Sequence, residues 1–390
     1  MSTFTFYAPT KVIFGKDTHL QVGEVLKSFQ ATKVLLHYGS DNAKRSGLLD
    51  QVKNSLDQQQ ISYVELGGVV PNPRLSKVYE GIELGRKENI DFILAIGGGS
   101  VIDSAKAIAY GIPYQGDVWD FYIKKASPET TVSVGAILTI AAAGSEMSNS
   151  TVITNEEGWL KRGCNYDLCR IKFAIENPEL TYTLPAYQTA SGCVDIMMHT
   201  MERYFVLSKT MELTDSIAEA LLRVVIKNAQ ILKTDPRDYD ARAEILWAST
   251  VSHNDLTNFG AERGDWACHR LEHELSGMFD VAHGAGLAAI WTSWANYVYQ
   301  EKPERFAQFA KNVYGLHHDD VKELAQLGIK ATTEFFKSID MPTTITELVA
   351  DINDAQIEEM ATKCDESNPT LGAFKKLDKK DMLAIYHNAK

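Results

Sequence analysis

Two short segments of this chain, and one residue a little beyond them, carry side chains that could hold a metal ion. Residues 195–199 read Asp-Ile-Met-Met-His, residues 269–273 read His-Arg-Leu-Glu-His, and His283 stands directly before Gly284-Ala285-Gly286. Side chains four apart share a helix face, so Asp195 and His199 can converge on one ion, as can His269 and His273. A lone histidine is ordinarily a packed or surface residue, but four of the chain's ten fall in these segments, and the two i,i+4 pairs sit in apolar surroundings. Read jointly they are a metal site. Mixed Asp/His donors without cysteine suit Fe²⁺, Zn²⁺, Mn²⁺ or Co²⁺ and argue against a thiolate structural zinc. The run 269–273 also fits the H-x-x-E-H pattern of inverted zinc peptidases, in which Glu272 would activate water. That hydrolase is the rival reading. Glu272 could equally be a helix charge paired with Arg270 or another neighbour.

A second constellation, Ala95-Ile-Gly97-Gly98-Gly99-Ser100-Val-Ile-Asp103-Ser-Ala-Lys106, runs an apolar strand straight into a helix through three glycines. Phosphate binding needs this geometry, with backbone N–H groups at a helix N-terminus and no Cβ to hold the anion away. It is neither G-x-G-x-x-G nor a P-loop. The plainer alternative is a tight turn with Ser100 as N-cap and Asp103 as a first-turn negative charge. A hydrolase, or a metal-binding protein without catalysis, leaves this turn without a purpose. A third segment, Tyr38-Gly39-Ser40-Asp41-Asn42, follows the second strand, where nucleotide-binding sheets face the adenosine ribose. Gly39 and Ser40, with Lys44 and Arg45 nearby, favour the 2′-phosphate of NADP(H) over NAD(H). Asp41 is the competing acceptor for a free 2′-hydroxyl.

The elements that must position these residues change character along the chain. KVIF (11–14), KVLLHY (33–38), ISYVEL (61–66), DFILAIGG (91–98) and TVSVGAILTI (131–140) are β-branched runs. They alternate with amphipathic stretches at 46–56 and 75–87, which predicts a doubly wound α/β domain. TVIT (151–154) and IKFAI (171–175) bracket a polar, Gly-containing segment and are expected to form an added β-ribbon. After Leu184-Pro185 the periodicity is helical, as over 212–232 and 242–256, so the C-terminal half is expected to be all-α. The expected domains are 1–184, binding dinucleotide, and 185–390, binding metal and substrate, packed directly with a cleft between them. No internal repeat or low-complexity tract interrupts either half.

Length and composition bound the function. The 390 residues are 45% hydrophobic and 23% charged, ordinary globular usage that excludes a disordered or fibrous chain. With 51 acidic against 39 basic residues the formal charge is −12, and no dense Lys/Arg block offers a footprint for nucleic acid or an anionic membrane. The N-terminus lacks signal-peptide features, and the most apolar stretch, 134–144, is too short to span a bilayer, so a cytoplasmic location is expected. Five scattered cysteines without a C-x-x-C pair read as reduced thiols.

On these residues the chain resembles the iron-containing (group III) alcohol dehydrogenases, especially their NADPH-dependent butanol dehydrogenase and broad aldehyde reductase branch. The resemblance runs nearly the full length. It is carried by residues 6–15 (FYAPTKVIFG), Pro71-Asn72-Pro73, 97–103, Gly144-Ser145-Glu146-Met147, Asn177-Pro-Glu-Leu180, Gly192-Cys-Val-Asp195 leading to His199, and the intervals among His269, His273 and His283. It implies that Asp195, His199, His269 and His283 hold one divalent ion, Fe²⁺ or Zn²⁺, and that His273 is the catalytic, non-ligand histidine relaying a proton beside substrate and nicotinamide. Gly97, Gly98, Gly99 and Ser100 then cradle the pyrophosphate, with Asp103 in the same helix. Gly39, Ser40, Asn42 and Asn72 match the adenosine end, and Thr139, Ser145, Ser148 and Lys161 line the cofactor cleft. Ala143 replaces a common Thr, and Glu272 stands where a small neutral residue is frequent. The implied reaction is hydride transfer between NADP(H) and a simple primary alcohol or aldehyde, the metal acting as Lewis acid. The implied assembly is a homodimer. Polyol dehydrogenases, and a metal-dependent NAD-using cyclising lyase, share the architecture, so the fold alone does not name the substrate.

Overall fold

The computed structural model describes residues 3–39, 42–260 and 264–390. They divide into two compact units, Tyr7–Thr183 and Leu184–Lys390, the latter including the N-terminal segment up to Phe6. In that second unit Phe4 stacks on Phe259 at 4.6 Å between ring centroids, and Phe6 meets the same ring edge-on at 5.5 Å.

In chain order the first unit contains β1 (Lys11–Phe14), α1 (Val22–Ser28), β2 (Lys33–Tyr38), α2 (Asn42–Arg45), α3 (Leu48–Gln58), β3 (Ser62–Leu66), α4 (Leu75–Glu88) and β4 (Phe92–Gly97). It continues with α5 (Gly99–Gly111), α6 (Trp119–Tyr122), β5 (Ser133–Leu138), β6 (Ser150–Asn155), β7 (Leu160–Asn165) and β8 (Phe173–Glu176). Six strands form one parallel sheet in the order β1-β8-β5-β4-β2-β3. Every residue of β4 is buried, as a central parallel strand covered on both faces requires, and this is why its sequence reads as one unbroken apolar run. Under α1 and α3 the ring of Phe173 stacks on Phe29 at 5.7 Å and on Phe92 at 5.9 Å, and Phe29 meets Phe92 tilted at 6.3 Å. The sheet reverses its winding between β2 and β4, since β3 lies on one side of β2 and all later strands lie on the other. Open α/β sheets take ligands at such a switch point, at the carboxyl ends of the strands.

The ribbon differs from expectation. β6 pairs antiparallel with β7, from Ser150 opposite Asn165 to Asn155 opposite Leu160. IKFAI instead supplies β8, which is buried along its length between β1 and β5. A segment apolar on both faces belongs inside the doubly covered sheet, whereas LKRGCN, half buried and half polar, suits a ribbon. Gly158 and Trp159, at φ 79° and 52°, turn the chain between the ribbon strands.

The second unit is helical among its described residues, apart from one isolated bridge between Leu371 and Leu377. Its helices are α7 (Ala186–Tyr204), α8 (Glu212–Thr234), α9 (Tyr239–Ser252), α10 (Ala267–Phe279), α11 (His283–Val298), α12 (Pro303–Tyr314), α13 (Val321–Ser338), α14 (Asp354–Ser367) and α15 (Lys379–Ala389). α11 is apolar nearly all round, so it lies buried, touching α7, α10, α13 and α15. Pro185 stands immediately before α7. No described helix is long and apolar enough to cross a membrane. The five cysteines are buried and unbridged.

One ion pair locks the end of α7 to α8 and α12. The Arg305 guanidinium donates to both carboxylate oxygens of Asp215 at 2.6 and 2.7 Å and to the Tyr204 carbonyl at 2.8 Å, and it lies 3.6 Å over the Tyr204 ring. Removing one partner of a buried pair leaves the other charge uncompensated. Arg305→Ala is therefore expected to cost about 3–5 kcal/mol of stability, read as a lowered urea midpoint.

Candidate functional site

Asp195 and His199 lie one turn apart on α7, both buried. The His199 Nδ1–H donates to the Asp195 carbonyl at 2.9 Å and lies 3.0 Å from its carboxylate Oδ1, so Nε2 is the nitrogen left to serve as a ligand. His269, on α10, brings Nε2 to 4.0 Å from the same Oδ1, and His283, the first residue of α11, brings its Nε2 to 3.8 Å. One donor atom from each of Asp195, His199 and His269 lies within 4.8 Å of the others. Asp195, His199 and His269 thus form one donor group; His283 reaches the same carboxylate oxygen and also groups with Glu272 and His273, whose donor atoms lie within 4.8 Å of one another. Helix approach makes this possible: a Cβ on Gly284 would sit 1.9 Å from the Ser191 carbonyl of α7, so only glycine lets α11 come close enough to carry His283 to the cluster.

The donor set fits a divalent ion. His269 Nε2 is buried and makes no hydrogen bond, although an imidazole nitrogen away from water ordinarily finds a partner. Burial first, and then the neighbouring His199, His283, His273 and His253, push the His269 pKa well down, which keeps it in the neutral form that binds metal. Its other nitrogen is occupied: Glu202 Oε1 accepts from His269 Nδ1 at 3.1 Å and from the His269 backbone N–H at 3.0 Å. Glu272 Oε2 pairs with His283 Nδ1. Carboxylates behind ligand histidines fix tautomer and ring orientation. His273, also buried, holds its ring 5.8 Å from that of His283. In the peptidase reading Glu272 would face a water; here it is fully buried, with Oε2 bonded to His283 Nδ1.

Neither Glu202 nor the surrounding rings stood out in the sequence. His253 packs 4.3 Å from His199 between centroids, and Trp266 lies 5.2 Å from His269. Trp266 precedes α10 at φ 63°, a left-handed conformation uncommon for a bulky residue, with Arg203 4.7 Å from its ring. Glu202 was findable as the helix neighbour of His199, three residues on; Trp266 carries no such signal.

In the α/β unit the glycine turn lies at the switch point. Tyr38 of β2 pairs with Ile96 of β4, so Gly39 and Gly97 follow side by side at the strand ends. α5 begins at Gly99 with Gly98 as its N-cap and no side-chain cap. Ser100 is therefore inside the first turn, and Asp103 beyond it, in contrast to the plain-turn alternative. Gly98, Gly99 and Ser100 are partly exposed, leaving the helix N-terminus accessible to an anion. The glycines differ in reason. A Cβ on Gly98 would meet Ile140 Cγ2 at 2.0 Å and one on Gly97 would meet Val101 Cγ2 at 2.5 Å, whereas one on Gly99 finds only Ala143 Cβ at 3.4 Å and Ser145 Cβ at 4.0 Å.

The remaining expected cofactor residues separate into two groups. Thr139 sits beside the turn, its N–H donating to the Gly97 carbonyl at 3.1 Å. Asn72 is buried at φ 52° and Asn42 opens α2, exposed. Ser40 and Asp41 lie outside the described residues. Ser145 and Ser148, by contrast, face a residue not anticipated. Lys106, buried on α5, donates through Nζ to the carbonyls of Ser145, Ser150 and Ser148 at 2.6, 2.9 and 3.0 Å. Asp103 accepts from Ser145 Oγ at 2.5 Å and from the Val152 N–H at 2.9 Å. Burial raises the Asp103 pKa, opposed by Lys106 and these bonds. Asp103 and Lys106 thus anchor the loop leading to β6, and Lys161 lies opposite Thr154 in the ribbon that follows.

A family model described as iron-containing alcohol dehydrogenase matches residues 9–178, and a model for the C-terminal part of the Fe-containing alcohol dehydrogenase family matches residues 189–390. The chain is 41% identical over 387 residues to the probable NADH-dependent butanol dehydrogenase 1 of Bacillus subtilis, covering 99% of each. The crystal structure of NADH-dependent butanol dehydrogenase A from Thermotoga maritima is similar at a TM-score of 0.97 and 38% identity, covering 100% of this chain and 99% of that one. The NADPH-dependent aldehyde reductase YqhD of Escherichia coli is 31% identical, covering 89% of each chain. The chain belongs to the iron-containing alcohol dehydrogenase family. Within it, the chain falls in the butanol dehydrogenase branch and is an alcohol/aldehyde oxidoreductase.

Proposed function

We propose that this protein transfers hydride reversibly between a nicotinamide dinucleotide and simple primary alcohols or aldehydes, in the cytoplasm and as a homodimer. The observation that carries the reading is the convergence of Asp195, His199, His269 and His283, with the buried Nε2 of His269 making no hydrogen bond. A bound Fe²⁺ or Zn²⁺ supplies Lewis acidity toward the substrate oxygen. Glu202 holds the His269 imidazole in the ligating tautomer. His273, one turn beyond His269 and outside the donor set, moves the proton that the alcohol loses or the aldehyde gains. The N-terminus of α5, reached through Gly97–Ser100, binds the pyrophosphate, and Gly39, Ser40, Asn42 and Asn72 take the adenosine end. Thr139 lines the cofactor's path, and Asp103, Ser145, Ser148 and Lys161 hold the loop and ribbon beside it.

Cofactor choice turns on the residues after β2. The bare Gly39 and the Ser40 hydroxyl suit a 2′-phosphate, the basis for expecting NADPH. Asp41 offers a carboxylate that suits a free 2′-hydroxyl, and the two more similar relatives bear NADH-dependent names. Similarity therefore weighs toward NADH over the NADPH preference expected from Gly39-Ser40. After reconstitution with Fe²⁺ or Zn²⁺, oxidation of NADH and NADPH by C2–C6 aldehydes tests both points. Turnover with neither cofactor overturns the dehydrogenase reading. If NADH is preferred, Asp41→Ser should lower the NADH/NADPH ratio of kcat/KM by roughly 10–100-fold, since a hydrogen bond to a charged acceptor is worth about 1.5–3 kcal/mol. A wild-type preference for NADPH restores Gly39-Ser40 as the deciding feature.

A further inference from the structure

We propose that Glu272 is a positioning residue for the metal centre, holding His283 in its ligating orientation from a niche that Gly286 keeps open. The inference rests on the ligand set proposed above and concerns what makes that set competent. Glu272 is fully buried on α10, and its Oε2 is bonded to Nδ1 of His283 across the α10–α11 contact. A Cβ at Gly286, three residues after His283 on α11, would lie 2.9 Å from both Cγ and Oε1 of Glu272. The missing side chain at 286 is the space that the carboxylate occupies.

Burying a carboxylate is costly unless a partner compensates. Here the partner is an imidazole whose opposite nitrogen lies 3.8 Å from Asp195 Oδ1. A hydrogen on Nδ1, donated to Glu272, leaves the lone pair on Nε2, fixes the ring plane and raises ligand basicity. His283 is the most exposed of the three histidines. It is the first residue of its helix and its side chain is 24% exposed, against 6–7% for His199 and His269. His199 is tethered by its own helix at the Asp195 carbonyl, and His269 is gripped through both Nδ1 and its backbone N–H by Glu202. At His283 it is Glu272 that meets Nδ1.

Glu272 could instead only fill space, and Gly286 provides the means to separate the two roles. In Glu272→Ala the atoms that a Cβ at 286 would strike are gone, so adding Gly286→Ala refills the void without restoring a hydrogen-bond acceptor. Affinity for Zn²⁺ or Fe²⁺ would be measured by competition with a chromophoric chelator, coordination by the visible absorption of the Co²⁺-loaded protein, and packing by thermal unfolding of the metal-free protein. Glu272→Ala is expected to weaken metal binding about 10–100-fold, the usual effect of losing an outer partner of a ligand histidine, and to alter the Co²⁺ spectrum. The double variant should regain apo stability with affinity still low. Glu272→Gln, which keeps an acceptor oxygen, should recover most of the affinity. Wild-type affinity in Glu272→Ala, or affinity returning together with stability in the double variant, overturns the positioning role. His283→Ala, measured alongside, separates the two claims: if it too binds metal like the wild type, the ligand set is at fault and not Glu272.

Discussion

His269→Ala and His283→Ala are each expected to strip the protein of its metal and nearly all its activity while leaving the helical unit folded. Both side chains end at the Asp195 carboxylate, at 4.0 and 3.8 Å from Oδ1, so each deletion opens a coordination position that water fills with far lower affinity. The loss should exceed the roughly 10–100-fold that follows from removing an outer partner. The fold should survive because the unit's core lies elsewhere, in Trp291, Trp294, Phe205, Phe306 and Phe309, none of which is a ligand. His269→Ala also frees Glu202, a buried carboxylate whose pKa burial and the adjacent Asp265 already raise, so it should lower stability more than His283→Ala. Metal content by mass spectrometry, with circular dichroism for the fold, decides the matter. Full occupancy in either variant removes that histidine from the ligand set.

Gly98→Val is expected to abolish dinucleotide binding while metal content stays at the wild-type level, since the proposed ligands all belong to the other unit. A Cβ at this position already meets Ile140 Cγ2 at 2.0 Å, and a branched methyl fixed to its own backbone cannot yield without moving the strand end. Overpacking of this kind costs about 1–3 kcal/mol. It also displaces the first turn of α5, whose N–H groups the phosphates need; two charge-assisted bonds are worth about 3–6 kcal/mol, or roughly 100- to 10,000-fold in affinity. Calorimetric titration with NADH and NADPH measures the loss, and thermal unfolding measures the strain. Undiminished affinity would take the glycine turn out of the nucleotide site. The structure adds a packing reason for this glycine: its missing side chain makes room for Ile140. Gly99→Ala, with only Ala143 and Ser145 nearby, should be tolerated structurally, and serves as the control.

Much of both sites was legible because its chemistry is local. Asp195 and His199 are one helical turn apart, and Gly97–Ser100 join a strand to the helix that follows it. Contiguous residues carry such relations with them into any fold, through the 3.6-residue period and the strand-to-helix turn. The parallel strands were readable for a related reason: burial on both faces demands an unbroken apolar run, as in β4. The same property misled where a run had two possible partners. IKFAI pairs equally well on paper with TVIT or with the sheet, and only the space between β1 and β5 decides.

Composition and periodicity carried the fold class and spacing marked the candidate donor segments, while the resemblance to a family, read from contiguous motifs, singled out Asp195, His199, His269 and His283 as the expected donors. Tertiary structure decided what stands behind them. Lys106 meets the carbonyls of residues 145–150, Glu202 meets His269 across 67 positions, and Glu272 meets His283 on a different helix. Periodicity assigns a side chain to a face but does not say which element will cover it, or how closely. That distance is set where helices touch: Gly284 against the Ser191 carbonyl and Gly286 against Glu272 bring α11 in by the width of a missing Cβ. A donor's tautomer is then fixed by a carboxylate that no sequence interval connects to it.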